Sequence, residues 1–293
     1  MVLRGSGTNP GRVSALDEKF IFGGISGAIT RTILSPLDRI KIILQTENII
    51  DFKKYRGQKN FYNIFKILIN QNGFLCLWKG NLINCIRVIP HSSIQFGTYH
   101  HIKNIIQQNG NKDISYTNRI IAGSVAGGCA GTITHPIDLI RIRLQTEKNI
   151  NTIFNAIQHI YKENGAKNFY RGYFPAIISI VPFIGINFAT YDILKDNYQF
   201  SKYNSINTLI NGSFSAITAQ SICYPLDTIR RRSEISGNNY KNFTSSIRNI
   251  FNKEGITGFY KGSLVNTIKL IPNNFLRFYI FNFLITNYKL NVT

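Results

Sequence analysis

The sequence predicts an all-α membrane protein: six transmembrane helices arranged as three tandem, pseudo-symmetric repeats. Three observations carry that reading. The pattern Pro-x-Asp-x-x-basic occurs three times, as Pro36/Asp38/Lys41, Pro136/Asp138/Arg141 and Pro225/Asp227/Arg230. A Gly-x5-basic-Gly box follows each copy, as Gly73/Lys79/Gly80, Gly165/Arg171/Gly172 and Gly255/Lys261/Gly262. Apolar residues gather in six stretches (20–44, 82–106, 114–144, 174–198, 206–229 and 264–288), each near the ~20 residues that span a bilayer. Self-similarity at a long period means that the fold is built from copies of one unit.

The elements follow in chain order. Residues 1–18 form a short Gly/Ser/Arg-rich tail with no apolar core, unlike a secretory signal. Repeat 1 is expected over 19–110, repeat 2 over 111–202 and repeat 3 over 203–293. Each begins with an apolar helix whose small residues, Gly23/Gly27, Gly123/Gly127/Gly131 and Gly212/Ala216, let neighbouring backbones approach. Each continues into a polar loop and a short amphipathic helix (60–71, 152–163, 243–254) with 3.6-residue apolar spacing. The Gly box then opens the second apolar helix, which carries its own proline: Pro90, Pro182 or Pro272. Two crossings return the chain to its starting side, so the three units share one orientation about an axis along the membrane normal.

A formal charge of +20 raises nucleic-acid binding as one reading, but no nucleic-acid motif accompanies it. Basic residues instead recur at equivalent positions beside apolar helices, so no nucleic-acid partner is expected. Cys76, Cys85, Cys129 and Cys223 have neither metal-ligand spacing nor repeat equivalence. His91, His100 and His101 form no i, i+4 ligand pair, so neither a metal nor a cofactor is expected. No nucleophile–base constellation recurs, which argues against an enzyme. The loops inside the units carry Lys53, Lys54, Arg56, Lys59, Lys148, Lys162, Lys167, Lys241, Arg248 and Lys253, against Lys112, Arg119 and Lys202 between units. The positive-inside rule then turns the within-unit loops toward the more negative compartment.

Proline in a membrane helix removes a backbone hydrogen bond and kinks it, here at Pro36, Pro136 and Pro225. The Asp and the basic residue three positions later share one helix face. A lone charge at bilayer depth costs about 2.5–3.5 kcal/mol on insertion scales, so pairing is expected. Three such helices around an axis can form the ring Asp38–Arg141, Asp138–Arg230, Asp227–Lys41, or its opposite circular sense. Such a ring closes one end of a pore with breakable contacts.

From 19 to 288 the chain resembles the mitochondrial carrier family. The second repeat matches the longer family motif throughout: Pro136, Asp138, Arg141, Arg143, Gln145. The first departs at Ile43 but keeps Gln45, and the third has Arg230 and Arg232 with Glu234 in place of Gln. The resemblance implies a threefold barrel in the mitochondrial inner membrane that alternates its access. It makes the Asp/basic ring the matrix-side gate, braced by Gln45 and Gln145. The cytoplasmic-side motif is complete only at Tyr191/Asp192/Lys195; the first repeat keeps Lys103 without an acid, and the third lacks both charges. A gate on that side rests on Lys103, Asp192 and Lys195 alone. The resemblance also implies a monomer, with cardiolipin at the matrix-side helix ends.

Positions that break threefold symmetry at mid-membrane depth are candidates to contact an asymmetric substrate. Arg87, Ser179 and Lys269 lie seven residues past the second box glycine, about two turns into each even helix. Arg31 and Arg277 add positive charge. Deep cations without acidic equivalents suit an anion, and phosphate fits Arg and Lys well. Ile180 and Phe183 complete the candidate substrate contacts. The segments 36–43, 73–81, 86–90 and 94–96 resemble those of the coenzyme A and Graves disease carrier group, beside the adenine-nucleotide carriers. Ser179-Ile180 departs from the Gly-aliphatic pair usual in nucleotide-type carriers. The expected function is transport of coenzyme A or a related adenine nucleotide (ADP, ATP, AMP or adenosine bisphosphate) by exchange. The alternative is a carrier of another small anionic metabolite, such as a carboxylate or an amino acid.

Overall fold

The computed structural model describes residues 15–46, 61–108, 115–147, 150–198, 204–235 and 243–287. The basic loop residues Lys53, Lys54, Arg56, Lys59, Lys112, Lys148, Lys202 and Lys241, and the tail to residue 14, lie outside them. Within the described residues every regular element is helical. The long helices are α1 (Ala15–Thr46), α3 (Asn81–Gln108), α4 (Tyr116–Thr146), α6 (Tyr173–Asn197), α7 (Asn204–Ile235) and α9 (Ser263–Asn287). The short ones, α2 (Phe61–Asn72), α5 (Ile153–Asn164) and α8 (Phe243–Glu254), each lead into a 3-10 turn that carries the Gly box.

Every long helix packs on the next, and α9 packs back on α1, so the six close into a ring. The odd helices α1, α4 and α7 also touch one another, at the end where the prolines and aspartates lie. The apolar clusters sit at that end. Ile40, Ile43, Leu44, Ile64, Leu68, Leu77 and Val265 form one, and Leu139, Ile140, Leu144, Ile150, Ala156 and Ile160 belong to a second. Along the barrel wall the pattern is reversed: Ile25, Ile29, Ile33, Ile121, Val125, Ile133, Ile268, Ile271 and Phe275 are exposed. An apolar belt of that extent on a charged chain faces lipid. By length and hydropathy alone one stretch, within 153–197, could cross a membrane. The threefold repeat assigns the other five spans.

The second glycine of each box explains how one repeat locks onto the next. Gly80, Gly172 and Gly262 all have positive φ, at 82°, 73° and 79°. A Cβ on Gly172 would lie 2.8 Å from Glu234 Cγ, and one on Gly80 3.0 Å from Gln145 Cγ. Each box therefore seats the end of the following odd helix against bare backbone. The residue before each motif proline ties the same box to its own helix. Ser35 Oγ donates to the Leu77 carbonyl (3.3 Å), His135 Nε2 to that of Arg171 (2.9 Å) and Tyr224 Oη to that of Lys261 (2.8 Å).

Small residues seat the paired helices unevenly. Ile180 and Ile184 pack against Gly127, and Ile180 against Gly131, whereas Gly23 and Gly212 have open space where a Cβ would lie. Gly172→Ala should lower the thermal unfolding temperature of the detergent-purified protein, since it combines left-handed strain with a clash, at a cost of about 1–3 kcal/mol. Gly185→Ala, in open space within α6, should leave it unchanged or raise it.

Candidate functional site

The site is built where α1, α4 and α7 converge. Their proline-bearing ends carry one Asp and one cation each, and the ring closes in a single circular sense. Arg141 lies 3.4 Å from Asp38, Arg230 3.1 Å from Asp138, and Lys41 2.8 Å from Asp227. The three carboxylates are at most 16% exposed, so water screens these pairs little.

Each Asp holds a second cation that the repeat logic did not place there. Lys269 Nζ from α9 binds Asp38, and Arg87 from α3 lies 3.0 Å from Asp138. Arg231 approaches Asp227 at 3.6 Å. Arg87 Nε and Asp138 Oδ1 each lack an aligned hydrogen-bond partner, so that contact is electrostatic. Gate and substrate contacts, treated as separate sets in the sequence, thus share two side chains. The missed signal is the absence of any other acid at the depth of Arg87 and Lys269, which leaves the gate carboxylates as their neighbours.

Gln45 Nε2 donates to Asp227 Oδ2 at 3.3 Å, under the Lys41 pair. Gln145 packs along Gly80, and its Oε1 is buried without a hydrogen-bond partner. In the third repeat Glu234 is fully buried and accepts from Arg230 Nε (2.9 Å) and Arg231 Nη1 (3.2 Å). An ion pair thus replaces the third amide, and it fixes both arginines beneath Asp138 and Asp227.

The other candidate substrate residues divide. Arg277 lines a cavity of about 1000 Å³, and Arg31 donates to the Asn84 carbonyl (3.0 Å) and Oδ1 (3.2 Å). Ser179 Oγ donates to the Ala176 carbonyl of its own helix (2.7 Å), and Phe183 is half-buried on α6. Ile180, the remaining candidate contact, is half-buried. It is turned into the α4–α6 interface, because Gly127 and Gly131 leave a hollow that its side chain fills. Lys103, Asp192 and Lys195 make no ion pair among the described residues, and Lys195 is exposed. Among the described residues, ring-forming charge pairs gather at the proline end.

A second ionic layer lies behind the gate. Arg143 Nη2 meets Glu163 at 2.7 Å and also binds Glu147, while Arg232 Nη2 meets Glu254 at 2.8 Å. Repeat 1 has neither charge: Ile43 sits in an apolar cluster with Ile64, Leu68 and Leu77. His159 approaches both Glu147 (3.4 Å) and Glu163 (3.5 Å), a grouping with metal-ligand character that Arg143 already neutralises. The signal for this layer was present: an acid just before the first box glycine in repeats 2 and 3 only.

Comparisons with known proteins place the chain in a family. The family model for mitochondrial carrier proteins matches residues 14–110, 112–202 and 201–291. The chain belongs to the mitochondrial carrier family. Among its relatives is a probable chloroplast-envelope ADP,ATP carrier of Arabidopsis thaliana, 31% identical over 94% of this chain and 73% of its own length. The mitochondrial coenzyme A transporter SLC25A42 of Danio rerio is 32% identical over 86% of this chain and 81% of its own. The human mitochondrial adenyl nucleotide antiporter SLC25A24 is 32% identical over 87%, and the chain spans only 55% of it.

Two outcomes test the layered ion pairs. Asp227→Asn strands Lys41 in a buried site and should destabilise by about 3–5 kcal/mol. Lys41→Met added to it should recover part of that loss in a thermal melt. Burial alone would raise the Glu163 carboxyl, but hydrogen bonds from Asn168 and Arg143 outweigh it and hold it below its ordinary value. Its contribution is therefore complete above the usual carboxylate range and lost as pH falls through the lowered value. Glu163→Gln should flatten that part of the acid limb of a melting-temperature profile.

Proposed function

We propose that this mitochondrial carrier exchanges coenzyme A or a related adenine nucleotide across its membrane by alternating access. The observation that carries the reading is that Arg87 and Lys269, the candidate substrate cations, are held by the ring carboxylates Asp138 and Asp38. In the closed arrangement Asp138 and Asp38 neutralise them. A polyphosphate entering the cavity competes for the same cations, and phosphate binds guanidinium and ammonium groups at least as well as carboxylate does. Drawing Arg87 off Asp138 and Lys269 off Asp38 leaves each aspartate with one cation, and the gate weakens when an anion is bound. A substrate shifts a two-state equilibrium only through differential contacts, and this exchange of partners supplies them.

The named relatives support a nucleotide-type substrate, as do Arg277 in the cavity wall and Arg31 beside Asn84. The mitochondrial inner membrane is the proposed location, with the gate end toward the matrix, although relatives also occur in plastids. A monomer with cardiolipin at the gate-end helix termini fits the same reading.

Uptake of labelled coenzyme A, ADP, ATP and adenosine bisphosphate into proteoliposomes tests the proposal. At least one should be taken up saturably, and Arg87→Ala should lower that uptake about tenfold or more. Failure of all four would overturn the substrate class. Asp138→Ala should impair exchange more than Asp192→Ala, because Asp192 has no ion-pair partner among the described residues; equal losses would contradict the single-gate reading.

A further inference from the structure

The three repeats are not equally sealed at the level of the cavity. In repeat 2, Ile184 and Phe188 of α6 close against Gly123 of α4, at 3.5 and 3.6 Å from a Cβ placed there. The repeat-1 equivalents, counted from the box glycines, are Ser92 and Phe96 on α3 facing Gly23 on α1. The small Ser92 leaves the hollow unfilled, and a Cβ on Gly23 or Gly24 would meet nothing within 4 Å.

A cavity of about 1000 Å³ runs through this gap. It is bounded by Gly212 on α7 and by Arg277 and Asn274 on α9, passes the bare backbone of Gly23 and Gly24, and reaches Val88, Ser92, Ser93 and Phe96 on α3. One end thus carries the cation Arg277, and the other is mainly apolar with hydroxyls interspersed. Such a lining suits a flexible chain that mixes methyl, methylene and amide groups. A pure hydrocarbon would leave Ser92, Ser93 and His100 facing it without partners.

We infer that the gap between α1 and α3 is a subsite for the neutral arm of a nucleotide thiol, the pantetheine portion of coenzyme A. This rests on the proposed function and deepens it: the cations hold the phosphates, and the slot separates nucleotides that carry an arm from those that do not. Repeat 2, plugged by Ile184, has no equivalent place, whereas Gly212 of repeat 3 is open and borders the same cavity.

The test is the ratio of coenzyme A to ADP uptake in proteoliposomes for the wild type, Ser92→Ile, which installs the repeat-2 plug, and Gly24→Leu, which fills the slot from the other wall. The ratio should fall at least tenfold in both variants, with Ile121→Ala, on the exposed outer face of α4, keeping the wild-type ratio. An unchanged ratio in both plugged variants overturns the subsite and leaves a gap filled by lipid. Wild-type uptake of ADP without coenzyme A also overturns it, while leaving the nucleotide carrier reading intact. Uptake of neither overturns both.

Discussion

Three buried aspartates, each held by two cations, are the constraint on which the rest of the structure depends. Asp38, Asp138 and Asp227 would be costly in the barrel if any were left alone. Their partners come from different helices: Arg141 and Lys269 on Asp38, Arg230 and Arg87 on Asp138, Lys41 and Arg231 on Asp227. Satisfying them draws α1, α4 and α7 together at one end. The box glycines then exist to let those helix ends seat without a Cβ in the way, and the short helices α2, α5 and α8 cover the convergence. The odd helices touch at the proline end, where the ion pairs and the apolar clusters lie together.

Much of this was legible in the sequence, because period and charge are one-dimensional signals. The repeat of Pro, Asp and a basic residue named the ring members, and spacing placed them on one face. The circular sense was not legible, since either sense satisfies the same charges; the direction in which the helices wind around the axis decides it. The position of Ile180 was also hidden. Its place in the count marks a candidate cavity position, but the hollow at Gly127 and Gly131 draws it into the wall. Arg87 and Lys269 read as free cations because their counter-charges are 51 and 231 residues away in the chain. Sequence proximity says nothing about such pairs.

The departures from threefold symmetry are compensated locally. Repeat 1 exchanges an Arg–Glu pair for Ile43 in an apolar cluster, which removes both charges together and leaves none unpaired. Repeat 3 exchanges a glutamine brace for Glu234, and Arg230 and Arg231 absorb the added charge. Where a departure has no such compensation, as at Ser92 against Ile184, it leaves space. Structural substitutions close on themselves, whereas the open one faces the cavity, where a ligand can fill it.

Coupling between the cavity cations and the gate is the central claim, and hydrogen–deuterium exchange across 136–146 tests it most directly. In the reconstituted wild type, adding the transported nucleotide should speed exchange at this end of α4, as Asp138 loses Arg87. The same addition should have no such effect in Arg87→Ala. Unchanged or slowed exchange in a wild type that is actively transporting would contradict the account, because the gate would then open without surrendering its cations.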